Sequence, residues 1–293
     1  MRSMLNLALV ALALTPLAAS ADHHGDKPAA AADPVLLEVV AGDWRGDEAK
    51  ARDRYRHPVE SLTFWGLKPG MAILEIQPGA ASWWTEILAP YAKRTGGTFA
   101  ATGADLANPK LSEGSRKARA DFEARYGANP DLYGKVDVVN WGAVSRTLPA
   151  DSYDFILTAR SVHGWMQDKP GTVEETFGEF YKALKPGGIL AVEQHRANPL
   201  PPGAAESPST GYVSEAYVIS VAEKAGFKLD AKSEVNANAK DTKDHPFGVW
   251  TLPPALRSTA YGSGKPEDPG FDHSKYLAIG ESDRMTLKFV KAK

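Results

Sequence analysis

The chain carries two kinds of hydrophobic periodicity in turn, and their succession predicts strands alternating with helices. Met71 to Ile76 is a short apolar run after Pro69-Gly70, the spelling of a buried strand. Trp84, Ile87, Leu88 and Tyr91 recur at helical spacing and predict a helix over 84–93. Thr98 to Thr102 predicts a second strand, and Arg116 to Tyr126 a charged, half-exposed helix. Val136–Trp141 and Tyr153–Thr158 read as two further strands. Thr172-Val173-Glu174-Glu175 spells a capping box. It opens a helix that sets Phe177, Phe180, Tyr181 and Leu184 on one side. Lys185-Pro186-Gly187-Gly188 ends that helix, and Ile189–Glu193 follows as a strand. A helix over Tyr212–Ala225 closes at Gly226, and Phe227–Val235 and Arg284–Val290 are the last two strands. Ahead of them all, 48–65 is helical in part and broken at Pro58. Thr251–Ser282, rich in Gly and Pro, is a long excursion.

This succession implies an α/β fold, a mostly parallel sheet with helices on both faces. Such sheets bind ligands beyond the carboxyl ends of their strands, at the point where strand order reverses. Chemistry is therefore expected in the loops after Ile76, Thr158 and Glu193.

Composition narrows the class further. Hydrophobic residues make up 43% and charged residues 24%, with a formal net charge of −2. That is an ordinary globular balance, and nothing in it provides the clustered positive charge a nucleic-acid partner needs. The absence of cysteine excludes disulfides and a lipid-modified cysteine. Arg2, the apolar run Leu5–Leu14 and the small-x-small Ala19-Ser20-Ala21 spell a signal peptide over 1–21. The expectation is an exported, periplasmic protein with no membrane span after cleavage. A flexible tether over 22–34 carries His23 and His24, read as incidental rather than metal-binding. A single domain with an N-terminal helical cap then fills 35–293.

The loop after the first strand reads Glu75-Ile76-Gln77-Pro78-Gly79-Ala80-Ala81-Ser82, an acid and a small-residue turn leading into a helix. Small residues let a ligand approach the backbone, and a helix start offers free N–H groups. Leu184-Lys185-Pro186-Gly187-Gly188-Ile189-Leu190 and Leu148-Pro149-Ala150-Asp151-Ser152-Tyr153-Asp154 resemble hallmarks of class I S-adenosylmethionine-dependent methyltransferases. Five further segments resemble a group of exported bacterial predicted methyltransferases. They are Arg52 to Pro58, Thr85 to Tyr91, Ser161 to Met166, Asn236 to Trp250, and Gly280 to Met285.

The resemblance implies a Rossmann-like sheet of seven strands with the last antiparallel, S-adenosylmethionine as cofactor, and methyl transfer to a small-molecule or envelope acceptor. It implies that Glu75, Gln77, Pro78, Gly79 and Ala81 face the methionine part. It places the ribose near Asp105 and the adenine near Asn140 or Trp141, with Trp141 able to stack on the purine. The loop after the fourth strand, which in the family meets the methyl group, supplies Arg160, His163 and Trp165 here. His163 is the candidate base, since its ordinary pKa lies near neutrality, and Trp165 a candidate wall of the methyl site. His195 with Arg196 follows the fifth strand as a second base or substrate contact. Tyr55, Arg56 and His57 in the helical cap are substrate-binding candidates, Arg56 as a carboxylate fork.

One glycine, Gly79, survives where the family typically has three, with Gln77, Ala80 and Ala81 in the same turn, and the acid after the third strand is replaced by Asn140 or Trp141. An alternative reading is therefore a non-catalytic exported binding protein that retains the fold. A third is a pocket for another nucleoside or sulfonium ligand. A metal site built from His57, His163 and His195 has no His-x-x-x-His spelling behind it, and none is expected. The polar run Asn236, Asn238, Asp241, Lys243 and Asp244 reads as a loop held by its own side chains. Glu281, Asp283 and Arg284 read as a salt-bridged start to the last strand.

Overall fold

The computed structural model describes residues 31–293 except 202, 203 and 205. The proposed signal peptide, His23 and His24 lie outside the described residues. Four short helices come first: α1 (Pro34–Val40), α2 (Asp47–Lys50), α3 (Asp53–Arg56) and α4 (Pro58–Trp65). The alternating part runs β1 (Ala72–Ile76), α5 (Thr85–Thr95), β2 (Thr98–Ala104), α6 (Glu113–Gly127), α7 (Pro130–Tyr133) and β3 (Val136–Trp141). It continues with β4 (Tyr153–Ala159), α8 (Val162–Trp165), α9 (Thr172–Ala183), β5 (Leu184–His195), α10 (Glu215–Lys224) and β6 (Lys228–Ser233). The chain closes with α11 (Ser274–Ile279) and β7 (Arg284–Val290).

Local chemistry explains most boundaries. Asp33 caps α1 through Oδ1, with Pro34 at the first helical position. Its other oxygen accepts from the Tyr91 hydroxyl at 2.8 Å, so the end of the expected tether is anchored to α5. Ser112 and Ser214 cap α6 and α10. Pro58 starts α4 rather than merely interrupting a helix, because its missing N–H costs nothing in a first turn.

The capping box at Thr172 does not form. Gly171, with φ +87°, takes the cap position, so Thr172 falls inside the helix and its hydroxyl is buried without a partner. The Lys185–Gly188 segment also departs from expectation. It stays in the sheet as an irregularity of β5, which pairs Leu184 with Tyr153 and then Ile189 with Phe155.

The seven strands lie in the order β3-β2-β1-β4-β5-β7-β6. Every neighbouring pair is parallel except those of β7, which runs antiparallel to both β5 and β6. The chain winds outward from β1 to β3, then returns to lay β4 beside β1, so the strand order reverses between β1 and β4.

Alternation along the strands feeds two cores. Leu74, Ile76, Ile156, Leu190 and Leu287 pack with Phe177 and Phe180 of α9 and with Val218 and Val221 of α10. Ile73, Phe155, Leu157 and Ala191 pack with Trp65 of α4, with Ile87, Leu88 and Tyr91 of α5, and with Leu36 and Val39 of α1. Each buried Val, Leu, Ile or Phe among them contributes about 1.5–3 kcal/mol by leaving water. Trp65 also donates Nε1–H to the Leu287 carbonyl at 3.0 Å, tying the cap to β7. Among the described residues no helix is long and apolar enough to cross a membrane.

Candidate functional site

The turn after β1 is tight. Gln77, Gly79 and Ser82 all have positive φ (49°, 72° and 47°), a region that disfavours residues with a Cβ. The two non-glycine residues are held by named bonds. The Gln77 N–H donates to the Thr102 hydroxyl at 2.8 Å, and the Ser82 hydroxyl donates to the Gly79 carbonyl at 3.2 Å. Trp165 donates Nε1–H to the Gln77 Oε1 at 3.0 Å, a bridge from the β1 turn to α8, just beyond β4.

A cavity of about 530 Å³ opens beside this turn. Its walls are Gln77, Pro78, Gly79 and Ser82 from the turn, Thr102, Gly103 and Ala104 from β2, one side of α6, and Trp141. A second cavity of about 460 Å³ shares Gln77 and Trp141 with it and adds Arg146, Trp165, Asp168 and Lys169. Trp141 stacks on Phe180 at 6.0 Å, so part of its ring is already covered. No added atom would meet a neighbour within 4 Å at Gly79, which leaves the floor of the turn open.

The expected residues divide into groups. Gln77, Pro78, Gly79 and Trp141 line the first cavity. Ala81 is exposed and does not line it. Glu75 lies beneath the turn, buried, and accepts from the Thr85 hydroxyl at 2.6 Å. Burial pushes its carboxyl up to about 8, against the Thr85 bond and Arg160, so it is mostly uncharged at neutral pH.

Asp105 offers nothing to a ribose. Its two oxygens accept from the N–H groups of Ala107, Val144 and Ser145 and from the Ser145 hydroxyl. Burial alone would raise its pKa, but the Ser145 bonds and the other N–H donors lower it. Arg119 of α6 crosses the end of β2 instead, donating to the Ala104 and Val138 carbonyls and to Asn140. The one carboxylate among the lining residues is Asp121, paired with Lys117 at 2.6 Å. Sequence reading missed it. The signal was present in Ser115, Ala118, Phe122 and Arg125, spaced to share one side of α6.

His163 and His195 lie near each other, ring centroids 5.8 Å apart. Gln194 fixes the first. Its Oε1 accepts from the Val162 N–H and its Nε2 donates to the Gly211 carbonyl, so the amide orientation is set. Its Nε2 must then also donate to His163 Nδ1, at 3.2 Å. The neutral ring therefore carries its proton on Nε2 and presents a donor, not a free lone pair. Burial lowers its pKa to about 4, with the charge of Arg160 acting in the same direction. In this arrangement His163 Nε2 can donate to a ligand but cannot take its proton. His195 contacts the Ser282 hydroxyl through Nδ1 at 2.6 Å. Burial, then Arg284, His163, Arg160 and Arg56, hold it well below its ordinary pKa.

Arg160 lines neither cavity and lies near a network that ties the cap to β7, within the field of Glu193, Arg284, Glu281 and Arg52. Arg52 and Arg56 donate to Glu281 at 2.5 and 3.0 Å, Arg284 also bonds Glu281, and Arg284 Nε lies 3.2 Å from Glu193. Burial pushes the Glu281 carboxyl up, but Arg284, Arg56 and Arg52 together hold it well below the carboxylate range. The start of β7 is thus salt-bridged, as expected, and buried. His57 donates Nδ1–H to the Asn236 side-chain oxygen at 3.2 Å, whose own amide is bonded to Ser61 and Thr286. Tyr55 packs against Gly280, where a Cβ would sit 2.5 Å from its ring. The polar run after β6 is likewise knit to other elements: Asp241 accepts from the Tyr212 hydroxyl and the Asp283 N–H.

With this geometry in hand, solved structures place the fold. The seven-stranded sheet, six strands in one direction and β7 reversed, is the arrangement that the resemblance to class I methyltransferases implied. The chain is similar to the [4+2]-cyclase SpnF at 18% identity and a TM-score of 0.52, over 88% of this chain and 92% of that one. It is also similar to a putative sarcosine dimethylglycine methyltransferase from Galdieria sulphuraria, at 14% identity and 0.48, over 84% and 87%. A methyltransferase from Aquifex aeolicus aligns at 20% identity and 0.46, over 69% and 93%. No protein-family model and no curated protein matches the chain. A fold does not by itself name a reaction, so the site must.

Proposed function

We propose that this protein binds S-adenosylmethionine in the cleft between the β1 turn and α6 and transfers its methyl group to a small-molecule acceptor. The supporting observation is the cavity of about 530 Å³ beside the turn where the strand order reverses, within the range of small-molecule sites. Its residues fit a sulfonium nucleoside. Gly79 leaves room for the methionine part, Trp141 and Phe122 offer apolar walls, and Asp121 and Ser115 replace Asp105 as partners for the ribose hydroxyls. When bound, the cofactor supplies an activated methyl group. The chain's own residues supply position and shelter. Trp165 and Gln77 close the space between the two cavities. His163, held by Gln194, offers Nε2–H to an acceptor oxygen or nitrogen, and His195 with Ser282 is the remaining candidate for accepting a proton. The leader-like residues 1–21 support the further reading that the protein acts outside the cytoplasm.

Calorimetric titration with S-adenosylmethionine and S-adenosylhomocysteine tests the binding step. Micromolar binding, lost in Gly79→Asp, is expected. Absence of heat with both nucleosides contradicts the proposal.

A further inference from the structure

Alternation on β1, β5 and β7 puts Glu75, Glu193 and Arg284 on the same sheet face as Ile73, Ala191 and the apolar core beneath the cap. At its carboxyl edge that face turns from apolar to charged, and the charges do not balance. Four guanidiniums, of Arg52, Arg56, Arg160 and Arg284, meet the carboxylates of Glu193 and Glu281, with Asp241 beyond Arg284. Glu75, protonated at neutral pH, adds no negative charge.

The hydrogen bonds are unbalanced as well. Arg56, fully buried, gives Nε to Glu281 and leaves Nη1 and Nη2 without acceptors. Arg52 Nη2 and Arg160 Nε are buried and unmatched too, while Glu193 Oε1 faces Arg284 Nε at 3.2 Å. Arg160 forms no ion pair among the described residues, yet the backbone presents it here at φ +61°, its N–H bonded to the Glu193 carbonyl at 2.7 Å. Water can fill hydrogen bonds in such a place, but it cannot cancel the positive charge of the fully buried Arg56 fork, and an uncompensated buried charge is costly. The missing partner is an anion. The paired free ends of one guanidinium suit the two oxygens of a carboxylate.

We propose that this cluster, under the cap and beside His195, is a binding site for a small carboxylate, held by the Nη1–Nη2 fork of Arg56 with Arg160 beside it, and that the acceptor molecule carries this group. The second part rests on the transferase reading; the site itself does not. Trp83 lies against the Arg56 guanidinium at 4.8 Å and provides a reporter.

The test is titration of the full chain, without nucleoside, with acetate, succinate and benzoate, and separately with inorganic phosphate and chloride. Calorimetry and tryptophan emission, compared with Trp83→Phe, give the readouts. Expected is saturable binding of at least one carboxylate at about 1 mM or tighter, weakened about ten-fold or more in Arg160→Gln and in Arg56→Lys. Arg56→Lys also disturbs the Glu281 pair and can impair folding. Arg160→Gln removes no ion pair and decides the matter if it does. Failure of every carboxylate to saturate, tighter binding of phosphate or chloride, or unchanged affinity in Arg160→Gln would each overturn the site. A parallel S-adenosylhomocysteine titration separates the two readings. Nucleoside binding without carboxylate binding overturns only this one, and the converse only the cofactor reading.

Discussion

Two side chains give this fold opposite responses to pH. Above about pH 6.5 both folded and unfolded chains hold His163 neutral. Below it the unfolded chain takes up a proton that the buried ring refuses until about pH 4. The stability associated with neutral His163 is therefore complete above pH 6.5 and lost progressively down to about pH 4, up to roughly 3 kcal/mol at about 1.4 kcal/mol per pKa unit. His195, also held neutral by burial, acts in the same direction. Glu75 acts the other way, its contribution complete below pH 4.5 and lost as pH rises to about 8. Urea denaturation at a series of pH values is expected to show a dome. His163→Asn flattens the acid limb, and Glu75→Gln removes the decline on the alkaline side. Limbs that stay unchanged in both variants would contradict the burial argument. Neither shift was legible in sequence. Glu75 could be read as an acid at a strand end, but its charge state depends on burial, opposed by Thr85 and Arg160, and only the fold brings these about. His163 was legible as a residue beyond β4, whereas its tautomer depends on Gln194, from another strand.

Elements were easier to read than their roles. β3 and β7 coincide with the predicted spans, and α5, α9 and α10 differ by a few residues, because apolar spacing and punctuation agree there. The short helices α1, α7, α8 and α11 had no comparable pattern, since a single turn carries too few apolar positions. α6 was legible as a helix but not as a cavity wall. Its partner is the end of β2, where Gly103 lets Arg119 lie flat. A Cβ at Gly103 would meet Arg119 Cδ and Val138 Cγ1, each at 2.7 Å. Gly103→Ala is accordingly expected to cost about 1–3 kcal/mol and to lower the melting temperature. It should also displace Arg119 from the Ala104 and Val138 carbonyls and weaken nucleoside binding. A variant with unchanged melting temperature and affinity would show that this packing does not shape the cavity.

Over the whole molecule, the order of strands does what no single motif does. Winding out to β3 and back to β4 leaves a crevice at the carboxyl edge, with the nucleoside-sized cavity on the β2–α6 side and the arginine cluster under the cap. The sheet itself followed from periodicity, and the antiparallel β7 from family resemblance. Burial of the β7 entrance did not follow from either, because Glu281 and Arg284 are buried by Arg52 and Arg56, more than two hundred residues earlier. The central claim, that the β1 turn and α6 enclose a nucleoside, is tested most directly by amide hydrogen exchange with and without S-adenosylhomocysteine. Slower exchange confined to 77–82, 102–104 and 113–125 is the predicted result. Binding that leaves those three segments unprotected, or protects a different part of the chain, would contradict it.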